Sequence, residues 1–189
     1  DSSGRMIIGH TASIDNGSHA RMQVYHSGSS AHVAIGRWGS SSSPPHFTFV
    51  KSRHSDVGSN TIVQDGDNLG KIRWRPADGN DFETEAAAIY ARVDGTPGEN
   101  DMPGELIFAT TNDGGSTAVA RATITASGRF LVGTDDTAVY NNTSGNGTVI
   151  TDSGEIQVAN TNDTTLWLNR IGTDGRLASM RKDGSQVGS

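Results

Sequence analysis

Six histidines, three close pairs of carboxylates and three tryptophans carry most of the chemistry available to this 189-residue chain. His10, His19, His26, His32, His46 and His54 would make a metal site only where symmetry brought copies of one side chain together. None forms an alternating His-x-His pair on one strand face, and all lie near turns or strand ends, so surface or inter-chain packing is the favoured reading and no metal site is expected. Asp65-Gly66-Asp67 and Glu99-Asn100-Asp101 offer hard oxygens to Ca²⁺, but neither has the ligand count of an EF-hand loop. Asp, Asn and Gly are also the residues that turns use, and the turn reading prevails. Glu83 and Glu85 share a strand face about 7 Å apart, within range of a glycosidase pair. With aromatics at 6% of the chain, no G-x-S-x-G elbow and no phosphate loop, nothing joins them to a reaction. They read as solvated, and neither catalytic residues nor a cofactor is expected. Trp38, Trp74 and Trp167 are the candidate glycan-binding residues, because an indole face suits the apolar side of a sugar ring. In a chain with few large apolar groups, packing in a shared core or between modules is the stronger reading. The N-x-S/T matches at Asn16, Asn142 and Asn162 are expected by chance.

The elements that would position these side chains repeat. Ser3-Gly4-Arg5-Met6-Ile7-Ile8-Gly9, Ser127-Gly128-Arg129-Phe130-Leu131-Val132-Gly133, Ser153-Gly154-Glu155-Ile156-Gln157-Val158-Ala159 and Asp174-Gly175-Arg176-Leu177-Ala178-Ser179 are four versions of one phrase: a turn pair, then a short strand. A chain that reuses such a unit builds length by stacking. Further strands are predicted at Ala20–Tyr25, His32–Gly36, His46–Lys51, Lys71–Arg75, Glu105–Thr110 and Ala118–Ile124, the last two flanking the hairpin signal Asn112-Asp113-Gly114-Gly115. Glu83–Val93 is rich in helix formers. Ala87, Ile89, Ala91 and Val93 nevertheless alternate, and Asp94-Gly95 closes the run, so it too is assigned as a strand. Strand pattern returns in Leu166–Arg170 and Arg176–Arg181, while the last turn, Asp183-Gly184, leaves its strand no room to form. Gly39-Ser40-Ser41-Ser42-Ser43-Pro44-Pro45 is a linker or exposed loop. Three sections follow: an N-terminal β section (1–39), a central module (40–134) and a C-terminal β section (135–189).

Ile and Val total 24 against 6 Leu, and Thr adds 19. This balance belongs to an all-β chain. Ile, Val, Leu and Phe together number 35 of 189, close to the limit below which one chain struggles to bury a sufficient core, so either much of the chain is irregular or subunits share a core. The absence of Cys excludes disulfides and thiolate metal sites. A formal charge of −6 with interspersed signs argues against nucleic acid as a partner. With no apolar run of about 20 residues and no signal-peptide pattern, a soluble chain without membrane insertion is expected. The missing initiator Met suggests a processed product or a fragment.

The phrase Val93-Asp94-Gly95-Thr96-Pro97-Gly98-Glu99-Asn100-Asp101-Met102-Pro103-Gly104-Glu105-Leu106-Ile107-Phe108-Ala109-Thr110-Thr111-Asn112-Asp113-Gly114, followed by an SGR strand, resembles the repeat modules of bacteriophage tail fibres and tail spikes. Lys51-Ser52-Arg53 with Val57-Gly58-Ser59-Asn60-Thr61 and Asp67-Asn68-Leu69-Gly70 resembles them as well. Asn169-Arg170-Ile171-Gly172-Thr173-Asp174-Gly175 with Arg181-Lys182-Asp183-Gly184 is similar to the segment that often precedes a C-terminal intramolecular chaperone in such fibres. The resemblance touches most of residues 46–135 and 163–188. It implies an elongated, intertwined homotrimeric β-fibre of short strands and Gly/Asp/Asn turns, located in the virion tail and extracellular. Its implied partners are other tail or fibre proteins, its role is host attachment, and it is not an enzyme. The chaperone itself is absent, which makes Ser189 an expected maturation cut or artificial chain end. The alternatives are a carbohydrate-binding or polysaccharide-depolymerising spike domain that meets bacterial surface polysaccharide, and a secreted adhesin outside phages.

Overall fold

A computed structural model describes residues 4–17, 20–28 and 31–188. Ser3 of the first repeat phrase, the candidate ligand His19 and the terminal Ser189 lie outside the described residues. The described residues form eleven strands and one 3₁₀ turn, consistent with the all-β expectation. Strands β1 (Met6–Ile8) and β2 (Met22–Val24) pair in parallel. Strands β3 (Asn68–Trp74), β4 (Ala87–Val93), β5 (Gly104–Thr110), β6 (Val119–Ile124), β7 (Phe130–Val132), β8 (Gly147–Ile150) and β9 (Ile156–Ala159) make one antiparallel meander in chain order. Strands β10 (Met180–Lys182) and β11 (Ser185–Gly188) form a terminal hairpin.

Register divides the meander into two chemically different faces. Tyr90, Ile107, Thr123, Leu131, Val149 and Gln157 stand opposite one another from β4 to β9, so they share a face. Ile107, Leu131 and Val149 there are 1% exposed or less, and Val139 of the 3₁₀ turn (Val139–Asn141) packs on Leu131 and Val149. The opposite face carries Ala91, Leu106, Ile124, Phe130, Ile150 and Ile156 in one row and Ile89, Phe108, Ala122, Val132, Thr148 and Val158 in the next. Two bulges, with Leu69 and Arg121 as the extra residues, absorb slips in register. Each face thereby keeps its set of side chains.

Strand β4 confirms that alternation outweighs the helix propensity of Ala87–Ala91, because β3 and β5 flank it and pair with it along its length. The second and third repeat phrases open identically. Thr125 Oγ1 accepts from the Arg129 amide and meets Ser127 Oγ, and Thr151 Oγ1 does the same with the Glu155 amide and Ser153. Gly128 and Gly154 sit at φ 80° and 88° in these turns, a region that favours glycine. In these two copies the unit is Thr-x-Ser-Gly followed by a strand, and the threonine two residues upstream of the serine is the part the phrase by itself does not reveal.

Several predicted strands do not form. His32–Gly36, His46–Lys51 and Leu166–Arg170 have no ladder, and residues 31–50 and 160–177 are exposed throughout. A strand pattern needs a hydrogen-bonded neighbour, and among the described residues no strand pairs with these segments. The fourth repeat phrase, from Asp174, likewise lacks its strand. In the other direction, β11 exists where no room was expected. Asp183 and Gly184, at φ 51° and 78°, make a two-residue turn tight enough to return the chain onto β10 at once.

Leu131→Ala empties a fully buried position beside Val139 and Val149 and is expected to cost about 2–5 kcal/mol of stability, measured by denaturant unfolding. Ile156→Ala, on the exposed row of an edge strand, is expected to cost well under half as much in an isolated chain.

Candidate functional site

The buried face of the meander is also its charged face. Arg92 of β4 stands opposite Glu105 of β5 and donates from Nε to its carboxylate, and Lys71 of β3 reaches Glu85 at 2.7 Å. Glu85 is thus buried and paired, which corrects the expectation that Glu83 and Glu85 form a solvated pair. Residues 83–86 precede β4 rather than belonging to it. The Glu105 carboxylate raises the pKa of Arg92, chiefly through the side-chain hydrogen bond. The Lys71 ammonium lies 5.2 Å from the Tyr90 ring centre, a cation–π contact on the same face.

Between the Arg92–Glu105 pair and the repeat-phrase turn at Thr125–Arg129 runs a groove of about 900 Å³. Its floor is Ile107, Leu131 and Thr123, and its walls include Tyr90, Arg92, Arg121 and Arg129. Strand register sets the Arg92 and Glu105 positions, the bulge places Arg121, and the Gly128 turn places Arg129. Arg121 is held by Thr110 Oγ1 at 3.0 Å and by the Asn112 side chain. Arg129 donates from Nη1 to the Thr137 carbonyl at 3.2 Å, while its buried Nε has no protein partner. Asp94 closes one end, accepting the Ala126 amide at 2.8 Å. Mixed donors and acceptors over a small apolar floor suit a polar, hydroxyl-bearing ligand. Sequence reasoning missed this groove. The only available signal was that Glu105 shares its parity with Ile107 and Ala109, which places a charge among inward residues.

The sequence candidates are distributed elsewhere. Asp65 accepts the Gly95 amide at 2.9 Å and Asp67 the Gln64 amide at 3.0 Å. Asp67 also receives both Nε and Nη2 of Arg53, at 2.7 and 2.8 Å. This fork ties the loop after residue 50 to the start of β3. Glu99 and Asn100 form a two-residue turn between reciprocal Gly98 and Asp101 backbone bonds, with Asn100 at φ 57°. Among the described residues no group of three or more His, Asp or Glu side chains is arranged to hold a metal ion. Trp38, Trp74 and Trp167 are 91%, 50% and 82% exposed, and none of the three lines the groove.

The Arg53 guanidinium, followed by the Gln64 amide, holds the Asp67 carboxyl well below its ordinary range. A depressed folded pKa contributes stability above the unfolded value and loses it as pH falls toward the folded one. The stability difference between the natural chain and Asp67→Asn is therefore expected to stay constant from pH 7 to about pH 4 and to shrink below that. Denaturation midpoints measured across pH 2–7 check this, and a pH-independent difference would remove charge pairing as its source.

Comparison with known proteins places the fold. The chain is similar over 94% of its length to the carboxy-terminal domain of the bacteriophage T5 L-shaped tail fibre with its intramolecular chaperone domain, at TM-score 0.52 and 16% identity. It covers 41% of that chain. A second structure, the carboxy-terminal domain of the same fibre, matches over 77% of this chain and 50% of its own, at TM-score 0.47 and 17% identity. The chain thus spans half or less of the length of the structures it matches. No family profile and no curated protein matches it. Among the described residues no helix is long and apolar enough to cross a membrane.

Proposed function

We propose that this chain is a structural module of a bacteriophage tail fibre or spike, forming a trimeric shaft that supports or carries host receptor binding. The observation that carries the reading is the fold likeness to a tail-fibre domain along almost the whole chain. The Val93–Gly114 phrase points the same way. Fold alone does not specify function, so the physical state of the chain matters. It exposes 14168 Å², whereas a folded monomer of 19.8 kDa exposes about 8,600 Å². An excess of about 5,500 Å² is several times what one partner of a standard interface buries, about 800 Å². That surplus supports an intertwined homotrimer whose chains complete one another's core. In this reading the role is mechanical and non-enzymatic. The partners are other tail or fibre proteins, and the location is the extracellular virion tail.

A second reading, a carbohydrate-binding or polysaccharide-depolymerising spike domain, draws on the bare indole faces of Trp38 and Trp167 and on the polar groove. It is expected to show saturable binding of host surface polysaccharide that is lost in Trp38→Ala, Trp74→Ala or Trp167→Ala.

Light scattering is expected to give three times the 19.8 kDa chain mass, with the assembly resisting SDS. A compact monomer would overturn the shaft reading and leave the groove as the place to look for a ligand.

A further inference from the structure

Taken alone, the chain covers its charged sheet face and leaves the apolar one bare. Ile107, Leu131 and Val149 are sealed on the face that also holds Arg92, Glu105 and Arg129. On the other face Ile72, Trp74, Leu106, Phe108, Ile124, Val132, Ile150 and Ile156 are each between 37% and 70% exposed, across all strands from β3 to β9 except β4. The register rows through this face contain no charged side chain. At its β3 edge the sheet admits Phe49, which lies over Gly70 where a Cβ would come within 2.5 Å of the ring. Phe47 meets Phe49 edge-on at 5.0 Å and continues the apolar surface past the last strand.

We propose that this face, running from Phe47 and Phe49 across to Ile156, is the surface on which copies of the chain meet. The inference rests on the trimeric reading above and assigns its interface. The occupant is a second copy rather than a foreign protein because the chain as a whole exposes about 5,500 Å² more than a folded monomer of its mass does, and this face is the apolar sheet surface within that excess. An uncharged apolar surface of this extent is the composition of a shared core and not of a transient contact. The charged face, with its groove, then points outward and is the side a ligand can reach.

The chain has no cysteine, so single thiols report each face separately. Ile124→Cys and Ile150→Cys mark the apolar face, and Arg73→Cys, opposite Ala88 on the charged face, is the control. In the natural oligomer, maleimide labelling of the first two is expected to be at least about tenfold slower than labelling of the control, because only opening of the interface exposes them. Circular dichroism and light scattering of each variant establish that fold and assembly are kept. A trimer whose Ile124→Cys and Ile150→Cys thiols label as fast as Arg73→Cys would overturn the interface while leaving the trimer intact. A monomer that labels quickly at all three sites would overturn the trimeric reading and this inference with it. Phe108→Glu supplies an independent check: dissociation or loss of SDS resistance is expected, and an unchanged trimer would count against the interface.

Discussion

Side chains in a strand alternate at a period of two, and the backbone ladder from β3 to β9 passes that alternation from strand to strand. A slip of one residue anywhere would exchange Leu131 for Phe130 or Val132 and mix the two faces. The chain avoids this by placing its irregularities as bulges: Leu69 and Arg121 are extra residues, and pairing resumes on either side with the faces preserved. The core, the groove and the bare apolar surface all follow from this division.

The charged face is stable because its polar groups satisfy one another across strands. Arg92 and Glu105 are direct cross-strand neighbours, Lys71 reaches Glu85, and the Thr125 and Thr151 hydroxyls take up amides that the turns would otherwise leave unpaired. The same arrangement leaves Arg129 Nε and Gln157 Oε1 buried without protein partners. They mark the polar face as one still able to take up water or a polar ligand. Long segments at 31–50 and 160–177 contribute almost nothing to this economy. Val33 and Ile35 alternate as a strand would but pair with nothing among the described residues, while Phe49 reaches β3 only through its ring over Gly70.

Much of the architecture was legible in residue order. Period-two alternation located β3 and β4 despite the alanine-rich stretch at 86–88, the Asn112–Gly115 hairpin signal located β5 and β6, and the repeated turn-strand phrase located β7 and β9. Asp and Asn at 65–67 and 99–101 served turns, as their types suggest. The failures have one physical cause. His32–Gly36, His46–Lys51 and Leu166–Arg170 carry strand patterns without strands, because local pattern states what a segment can do and pairing decides whether it does. β11 failed in the opposite sense: its turn geometry made a four-residue strand sufficient.

By itself, then, the sequence determined the strand class, most turn positions and a small complement of large apolar residues, since composition and alternation are local properties that need no partner. Only the tertiary structure decided which parity of each strand faces inward, because that depends on cross-strand register and on where the bulges fall. Glu85, Arg92 and Glu105 came to lie on the covered face, and Leu106, Phe108 and Ile150 on the open one. No count of residue types carries that information, since the two faces differ only in which neighbours the ladder brings beside them.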